Sequence, residues 1–396
     1  MFYLDKPSQY NENMNILYSI STVKKITCIV LIIVFIIFFW CTDLKETQPI
    51  TYDLLIRKYK SDTSDNQPYI LCRNFIIEKL MNSQGGVYTN YLDIPSDELT
   101  KGHDVLSESQ GILMKYAIET GDQELFDFAW NYAKQYLMTK HHLFAWRMIS
   151  GEPATSTASI DDLRIAGALY DAAAKFSNAN YKKAADKISK ALYKYCVSNE
   201  ILIDGYDFKS NQKIKTIHLC YLELASMKKL STYDRHWHKI YHKSLAIIQK
   251  GKIKNDIPLF QNKYVMETDS FESKDSLDAL HSVMILYYLC QTDNHTQEDI
   301  DWWKRKLLNG PIYTKYSEEG MAVTNMQSSA IYAFIMLLAQ QIEDHELYEL
   351  SKSFLYKLQI TNPISEIYGA FGNEKTLEVY SFDNLLSMWA LSFDTF

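Results

Sequence analysis

The chain has 396 residues, of which 47% are hydrophobic and 22% are charged, proportions typical of a globular protein with a sizeable buried core. Its formal net charge is −7 and no cluster of lysine and arginine stands out. Nucleic acid is therefore excluded as the main partner, because phosphate binding needs a concentrated basic surface.

An uncharged apolar run, ITCIVLIIVFIIFFWC, occupies residues 26–41. It is shorter than the roughly 20 residues that usually span a bilayer core, but bilayer thinning and flanking residues can make up the difference. A cleaved signal peptide is the alternative, yet no small-x-small cleavage site follows. A lipid anchor on Cys41 is disfavoured, because Phe39 and Trp40 stand where a lipoprotein signal needs small residues.

These features predict a signal anchor over residues 24–42, a single transmembrane helix that is not cleaved. The lysine pair at its start favours a cytoplasmic tail over residues 1–23. A linker over 43–65 and a working domain over 66–396 would then lie outside the cell, attached to a bacterial cell membrane.

From residue 66 onward the apolar residues recur with the period of an α-helix. The segment 123–137, QELFDFAWNYAKQYL, shows this pattern, and similar segments recur at 181–196, 233–248, 298–308 and 343–358. Their starts lie about 45–65 residues apart, the length of one helical hairpin with its loops. Strand-like alternation is almost absent, with one short candidate at 201–208.

Five or six hairpins predict an all-α domain, either a closed (α/α)6 toroid or an open helical solenoid. The solenoid would need a more regular repeat than this chain shows. We therefore predict the closed toroid.

Four segments place unusual polar residues at or near the start of a predicted helix: 103–122, 145–176, 275–283 and 378–391. Helix capping or a favourable contact with the helix dipole explains each of them when it is taken alone. The residues concerned are Glu108, Asp161, Asp162, Asp278, His281, Tyr380 and Asp383.

Taken together and in order, these segments resemble glycoside hydrolase family 8, which holds bacterial endoglucanases, chitosanases and xylanases. VLSESQGILM is similar to the family's VSEGQGYGM segment, which carries its catalytic glutamate. The matching residues are Ser107, Glu108, Gln110 and Gly111.

Further similarities follow in the same order along the chain. Ala145–Arg147 is similar to the family's AW-K/R stretch, and ASIDDLRIAGAL (158–169) to its AT-D-x-D-x-x-IA-x-AL stretch. Leu277–His281 is similar to the YDAxR stretch that supplies the base, and Tyr380–Leu386 to a final YYDxxL stretch. The chain departs from the family pattern at three positions. Ile160 stands in place of an aspartate, Leu277 in place of a tyrosine and His281 in place of an arginine. These departures indicate a divergent branch with its own substrate.

The resemblance implies an inverting, endo-acting glycosidase. Its general acid is Glu108, kept protonated near neutral pH, and its base is a carboxylate roughly 6.5–9.5 Å away. Asp278 is the first choice for the base, with Asp162 and Asp161 as alternatives. One of these two adjacent aspartates is expected to bind the hydroxyls of the sugar at the cleavage point instead of acting as the base. The remaining predicted substrate contacts are aromatic platforms and polar groups: Trp146, Tyr380, Arg147, Asp383 and His281.

No metal or organic cofactor is expected, since the six cysteines show neither a zinc-like spacing nor a disulfide framework. The expected partners are a polysaccharide, such as an exopolysaccharide or a biofilm matrix polymer, and the membrane. The domain is expected to be monomeric. A catalytically inactive accessory protein that binds polysaccharide during export is the alternative function, and a helical scaffold for protein partners is a third.

Overall fold

The computed structural model describes residues 51–60, 67–94, 102–254, 256–272 and 274–395. The predicted tail (1–23) and anchor (24–42) lie outside these ranges, as do both ends of the predicted linker. Within the described ranges, no helix is both long and apolar enough to span a membrane.

The framework of the described part of the chain is a set of thirteen α-helices. In chain order they are α1 (Tyr52–Lys60), α2 (Pro68–Phe75), α3 (Ser107–Glu119), α4 (Gln123–Tyr132), α5 (Ser159–Lys175), α6 (Ala179–Tyr195), α7 (Leu224–Tyr233), α8 (His236–Lys250), α9 (Ala279–Gln291), α10 (Gln297–Asn309), α11 (Ser329–Gln341), α12 (His345–Tyr356) and α13 (Ser381–Leu391). Helices α2 and α4 each continue into one π-helical turn, Ile76–Leu80 and Ala133–Leu137.

Six of these helices form a closed ring. Helices α3, α5, α7, α9, α11 and α13 each pack against the next in that order, and α13 packs against α3. An outer layer covers them: α4 packs on α3, α6 on α5, α8 on α7, α12 on α11, α2 on α13, and α10 contacts α12. The contact between the last and the first inner helix agrees with the predicted toroid and excludes the open solenoid.

The two layers differ in which residues they bury. Every residue of α11 from Ser329 to Ala339 is buried, as expected for a helix that is covered on all sides. Outer helix α6 instead buries one stripe that includes Tyr181, Ala185, Ile188 and Leu192. The helical period in the sequence therefore comes mainly from the outer layer.

Helix α1 falls within the predicted linker and packs on the domain. Leu55 is fully buried, the hydroxyl of Tyr52 donates a hydrogen bond to the carbonyl of Ile77 at 3.1 Å, and that of Tyr59 donates to Asp122 at 2.5 Å. The nine residues of α1 are too few and too charged to show a helical period. The folded unit therefore extends further toward the N-terminus than the predicted boundary at residue 66.

Short strands connect the helices. They are β1 (Val105–Leu106), β2 (Arg147–Ile149), β3 (Glu152–Pro153), β4 (Val197–Ser198), β5 (Ile201–Leu202), β6 (Gly205–Asp207), β7 (Gln212–Ile214), β8 (Ile217–His218), β9 (Lys252–Lys254), β10 (Ile257–Phe260), β11 (Lys263–Val265), β12 (Ser270–Phe271), β13 (Leu277–Asp278) and β14 (Lys315–Tyr316).

All strand pairs are antiparallel and form six small sheets: β1-β2-β3, β8-β11-β12, β9-β10, β13-β14, β4-β5 and β6-β7. The predicted strand segment 201–208 contains β5 and β6. The other strands are too short to show an alternating pattern, which is why the all-α prediction does not include them.

The N-terminal ends of several inner helices are tied together at one mouth of the ring. The hydroxyl of Ser107 donates to Asp161 at 2.7 Å, joining the starts of α3 and α5. The hydroxyls of Ser109 and Ser381 lie 2.9 Å apart, joining α3 to α13. These contacts place the first turns of the three helices, and the polar residues they carry, around one space.

Candidate active site

Glu108 lies in the first turn of α3, directly after strand β1. Its side chain is half-buried at the mouth of the ring. Among the described residues, no group donates a hydrogen bond to its carboxyl. Burial and the nearby Asp161 carboxylate together raise the pKa of Glu108 to about 7, although the Arg164 guanidinium opposes both. The carboxyl is thus able to carry a proton near neutral pH and to release it.

Asp161 and Arg164 lie one turn apart on α5, beside Glu108. Asp161 is 4% exposed, accepts the hydrogen bond from Ser107, and has one oxygen 3.5 Å from Nη1 of Arg164. Burial raises the pKa of Asp161 to about 6, although both of those partners oppose the rise. Asp161 therefore contributes to the electrostatic environment of Glu108 and is almost closed to solvent.

Asp162 is the next residue on α5 and faces the protein interior. It is fully buried, and both of its oxygens accept hydrogen bonds, from the backbone N–H of Phe144 at 2.8 Å and from the hydroxyl of Thr157. These bonds hold the loop between α4 and α5 against the start of α5. This placement gives Asp162 a structural contact set with no access to a substrate, so it does not favour Asp162 as the base.

Asp278 ends strand β13 and is the N-cap of α9. Its Oδ1 accepts a hydrogen bond from the backbone N–H of His281 at 3.0 Å, whereas its Oδ2 accepts none from the described residues. Both residues line an open cavity of 460 Å³ together with Lys274 and Lys315. The second oxygen of Asp278 is thus free to bind a water molecule.

His281 lies beside Asp278, where the family has an arginine. Burial lowers the pKa of His281, the ammonium of Lys274 and the ring of His218 add to this, and Asp278 opposes it. At neutral pH the imidazole is therefore mainly uncharged. The site has a neutral donor and acceptor where an arginine would place a fixed positive charge.

The structure places Glu108 and Asp278 around one buried residue. Electrostatic interactions with both carboxyls raise the pKa of the Cys220 thiol, which its burial raises most of all. Cys220 belongs to a short 3₁₀ turn, Leu219–Tyr221, between the two helix starts. The predicted acid and base thus share one mouth of the ring.

Trp146 and Arg147 lie next to the strand that leads into Glu108. The backbone N–H of Ser107 donates to the carbonyl of Trp146 at 3.1 Å, and Arg147 in β2 pairs with β1. The Arg147 guanidinium lies 4.9 Å from the centre of the Trp146 ring and 3.4 Å from Asp104. Both predicted substrate contacts are therefore beside Glu108, with the guanidinium over the indole.

Tyr380 and Asp383 lie at the start of α13 on the other side of Glu108. Tyr380 is the half-buried N-cap residue of α13. Oδ1 of Asp383 accepts three hydrogen bonds, from the hydroxyls of Ser328 and Ser329 and from the backbone N–H of Ala330, at 2.8–3.1 Å. Asp383 thus ties α13 to the start of α11, and its charge also reaches Glu108.

Three further polar residues at this mouth were not singled out by the sequence. Asp204 accepts hydrogen bonds from the backbone N–H of His218 at 2.8 Å and makes a 2.7 Å contact with His218 Nδ1. The phenol of Tyr221 is kept protonated, because burial and the carboxylates of Asp161 and Asp204 raise its pKa. The only signal for Asp204 was its place in the strand segment 201–208, and no motif marks the other two.

The described residues provide no candidate metal centre. Within the part of the chain that the structure describes, no group of three or more histidine, cysteine, aspartate and glutamate side chains is arranged to hold a metal ion.

One family model matches more than half of this chain. The model of the family described as "Glycosyl hydrolases family 8" matches residues 94–307, a span that contains Glu108, Asp161 and Asp278. The protein YdaJ of Bacillus subtilis (strain 168), which carries the name putative lipoprotein, is 26% identical over 320 residues. That alignment covers 80% of this chain and 84% of YdaJ.

Two solved structures share the fold. One, described as a novel alpha-amylase from Clostridium perfringens, is 36% identical, covers 82% of this chain and 96% of its own, and has a TM-score of 0.78. PssZ from Listeria monocytogenes is 23% identical, covers 81% and 93% of the two chains, and has a TM-score of 0.63. At that identity the likeness to PssZ shows the fold alone.

The raised pKa of Glu108 predicts a stability change in the variant Glu108→Gln. Folding raises this pKa from 4.5 to about 7, so the ionised carboxylate destabilises the folded chain as the pH rises through that window. Glutamine carries no such charge. We expect Glu108→Gln to melt about 2–6 °C higher than the parent at pH 8, and most of this gain to be lost at pH 5.

Thermal melts at both pH values provide the measurement, with the exposed Glu318→Gln as the matched control. Equal differences in melting temperature at pH 5 and pH 8 would show that Glu108 is not the buried acid described above.

Proposed function

We propose that this chain, which belongs to family 8 of the glycosyl hydrolases, hydrolyses a polysaccharide with Glu108 as general acid and Asp278 as general base. The family uses an inverting mechanism. The observation that carries the assignment of the acid is the half-buried carboxyl of Glu108, without a hydrogen-bond donor among the described residues and with its pKa raised to about 7.

Inversion requires the two carboxyls to act from opposite faces of the sugar. Glu108 would protonate the departing glycosidic oxygen, while the free Oδ2 of Asp278 would accept a proton from the attacking water. The N-cap bond from His281 supports this role, since it orients the carboxylate of Asp278 and leaves one oxygen open.

The remaining predicted residues take supporting roles in this proposal. Asp161 would keep Glu108 protonated through its adjacent negative charge. The hydroxyl of Tyr221 and the ring of Trp146 would contact the same sugar. Asp162 would anchor the loop that carries Trp146.

The variants Glu108→Gln and Asp278→Asn are expected to lose about 10²–10⁴-fold in kcat, the range for removal of a general acid or base. The measurement is release of reducing ends from a polysaccharide panel, with Glu318→Gln and Asp293→Asn as controls. Asp293 lies just beyond the opposite end of the helix that Asp278 caps. Its replacement therefore removes a carboxylate near the same helix but away from the proposed site.

Full activity in either catalytic variant would remove that residue from the mechanism. If the parent releases nothing from any polymer, but it and both variants bind one of them, the alternative of a non-catalytic export accessory replaces the hydrolase.

The substrate is proposed to be an exopolysaccharide or biofilm matrix polymer cut at internal bonds. The predicted location outside the cell supports this class, and family membership supports internal cleavage. An α-glucan is the second candidate, because the 36%-identical relative is described as an alpha-amylase. The substrate panel must therefore contain amylose and amylopectin beside β-glucan, xylan, chitosan and bacterial exopolysaccharides.

Inversion gives each substrate class a distinct first product. Hydrolysis of an α-linked glucan is expected to release the β-anomer, and hydrolysis of a β-linked polymer the α-anomer. Proton NMR of the anomeric signals in the first minutes, before mutarotation, provides the measurement. A first product with the same configuration as the cleaved bond would contradict the inverting mechanism.

The working domain is proposed to lie outside a bacterial cell, held by the apolar run over residues 26–41. The name of the relative YdaJ adds a lipid on a cysteine as a second means of attachment, and Cys41 is the last residue of the run. We expect the full chain in intact cells to be cleaved by external protease, and Cys41→Ser to remain in the membrane fraction. Release of Cys41→Ser into the soluble fraction would favour the lipid anchor.

A further inference from the structure

The ring has a second cavity at the mouth opposite Glu108. This cavity has a volume of 770 Å³ and receives side chains from all six inner helices. The lining includes one residue or more from each of these helices, among them Lys115, Asp171, Lys229, Gln291, Gln341 and Trp389. From Glu108 to Glu119, which lines this cavity, α3 rises roughly 15 Å.

Buried side chains fill the axis of the ring between the two mouths. Arg164, Glu223 and Tyr288 are 6%, 5% and 2% exposed, and they enclose a space of only 20 Å³. That space has room for a water molecule but not for a sugar. The second cavity is therefore a separate chamber, and a molecule bound there does not touch the catalytic carboxyls.

The charges around the second cavity favour a neutral ligand. Three lysines, Lys115, Lys175 and Lys229, face two carboxylates, from Glu119 and Asp171. Burial lowers the pKa of Lys115 and lowers that of Lys229 to about 7, so the lysines together carry less than three full positive charges. The C-terminal ends of the inner helices add partial negative charge. An anion would meet these carbonyls and carboxylates, and a cation would meet the lysines.

The same lining offers both hydrogen-bond donors and hydrogen-bond acceptors. The exposed amides of Gln340 and Gln341 lie at the rim of the cavity. Each amide has a carbonyl that accepts hydrogen bonds and an N–H₂ group that donates them. Such groups favour a ligand that carries many hydroxyl groups.

Apolar surface accompanies these polar groups. The rings of Tyr287, Trp389 and Phe393 line the cavity and can pack on the C–H faces of a sugar. The cavity shares Asp171, Lys229 and several neighbours with a groove of 440 Å³, which reaches the exposed Tyr233. A longer chain can therefore leave the cavity along this groove.

We propose that the cavity opposite the catalytic mouth is a second saccharide-binding site, which takes a neutral oligosaccharide of two or three units by aromatic packing and by hydrogen bonds to the glutamine amides. Such a site would hold a polymer end or a released product away from the catalytic carboxyls. It does not depend on hydrolysis by Glu108 and Asp278.

The test is isothermal titration of the full chain carrying Glu108→Gln with maltotriose, cellotriose and chitotriose. We expect one of these probes to occupy a site that survives changes at the catalytic mouth, including Trp146→Ala. The double variant Gln340→Ala/Gln341→Ala should weaken that site about tenfold, because it loses the hydrogen bonds of two amides. Gln249→Ala, on the outer face of α8, is the matched control.

A second variant, Gln341→Trp, places a large ring at the exposed rim and should block the site without disturbing the buried ring of helices. Binding that disappears with Trp146→Ala and ignores both rim variants would assign all binding to the catalytic mouth and overturn the proposal. Absence of binding by all three probes would overturn it too. If the probe binds as expected while the parent chain hydrolyses nothing, only the proposed hydrolase fails.

Discussion

The inner helices are buried on nearly every side, and this burial constrains every polar group at their ends. The first N–H groups of a helix have no partner within the helix and need an acceptor when they are buried. Asp278 accepts one at the start of α9, and Asp383 accepts one at the start of α11. Carboxylates therefore gather at the mouth where the helices begin, and the chemistry of the site depends on how water is excluded from each of them.

Two opposing effects act on a carboxyl in this place. The positive end of a helix dipole favours its ionised form, whereas loss of water favours its protonated form. For Glu108 desolvation wins, since its pKa rises to about 7 although it lies in a first helical turn next to the Arg164 guanidinium. The ring thus makes an acid out of a position where an exposed carboxylate would remain ionised.

A column of alternating charges runs from that acid along the ring. Arg164 interacts with Asp161 and Glu223, Lys115 interacts with Glu223, and Asp171 contacts Lys115 in turn. Each buried charge has an oppositely charged neighbour, which offsets part of its desolvation. Removing one member would leave its neighbours uncompensated, a change that costs about 3–5 kcal/mol in buried ion pairs. Arg164 is therefore both a support of the ring and a control on Glu108.

The sequence could predict the helices and the ring because the apolar residues recur with a helical period over long segments. The ordered motifs around Glu108 and Asp278 favour them as the proposed acid and base. The sequence could not separate Asp161 from Asp162. Adjacent residues on a helix point about 100° apart, and only the packing of α5 decides which side chain faces Glu108. Asp204 and His218 meet through two short strands whose pairing leaves no pattern in the sequence. The sequence did not predict helix α1 either, because its nine residues are too few to show a helical period.

The three hydrogen bonds that Asp383 accepts have a consequence for the order in which the protein matures. Helix α13 supplies Asp383 and closes the ring against α3, the helix that carries Glu108. During synthesis from the N-terminus, Glu108 emerges more than two hundred residues before α13, the helix that completes its surroundings. The carboxyl therefore remains an ordinary hydrated glutamate until residues 381–391 have left the ribosome, and it acquires its acid character only with the closure of the ring.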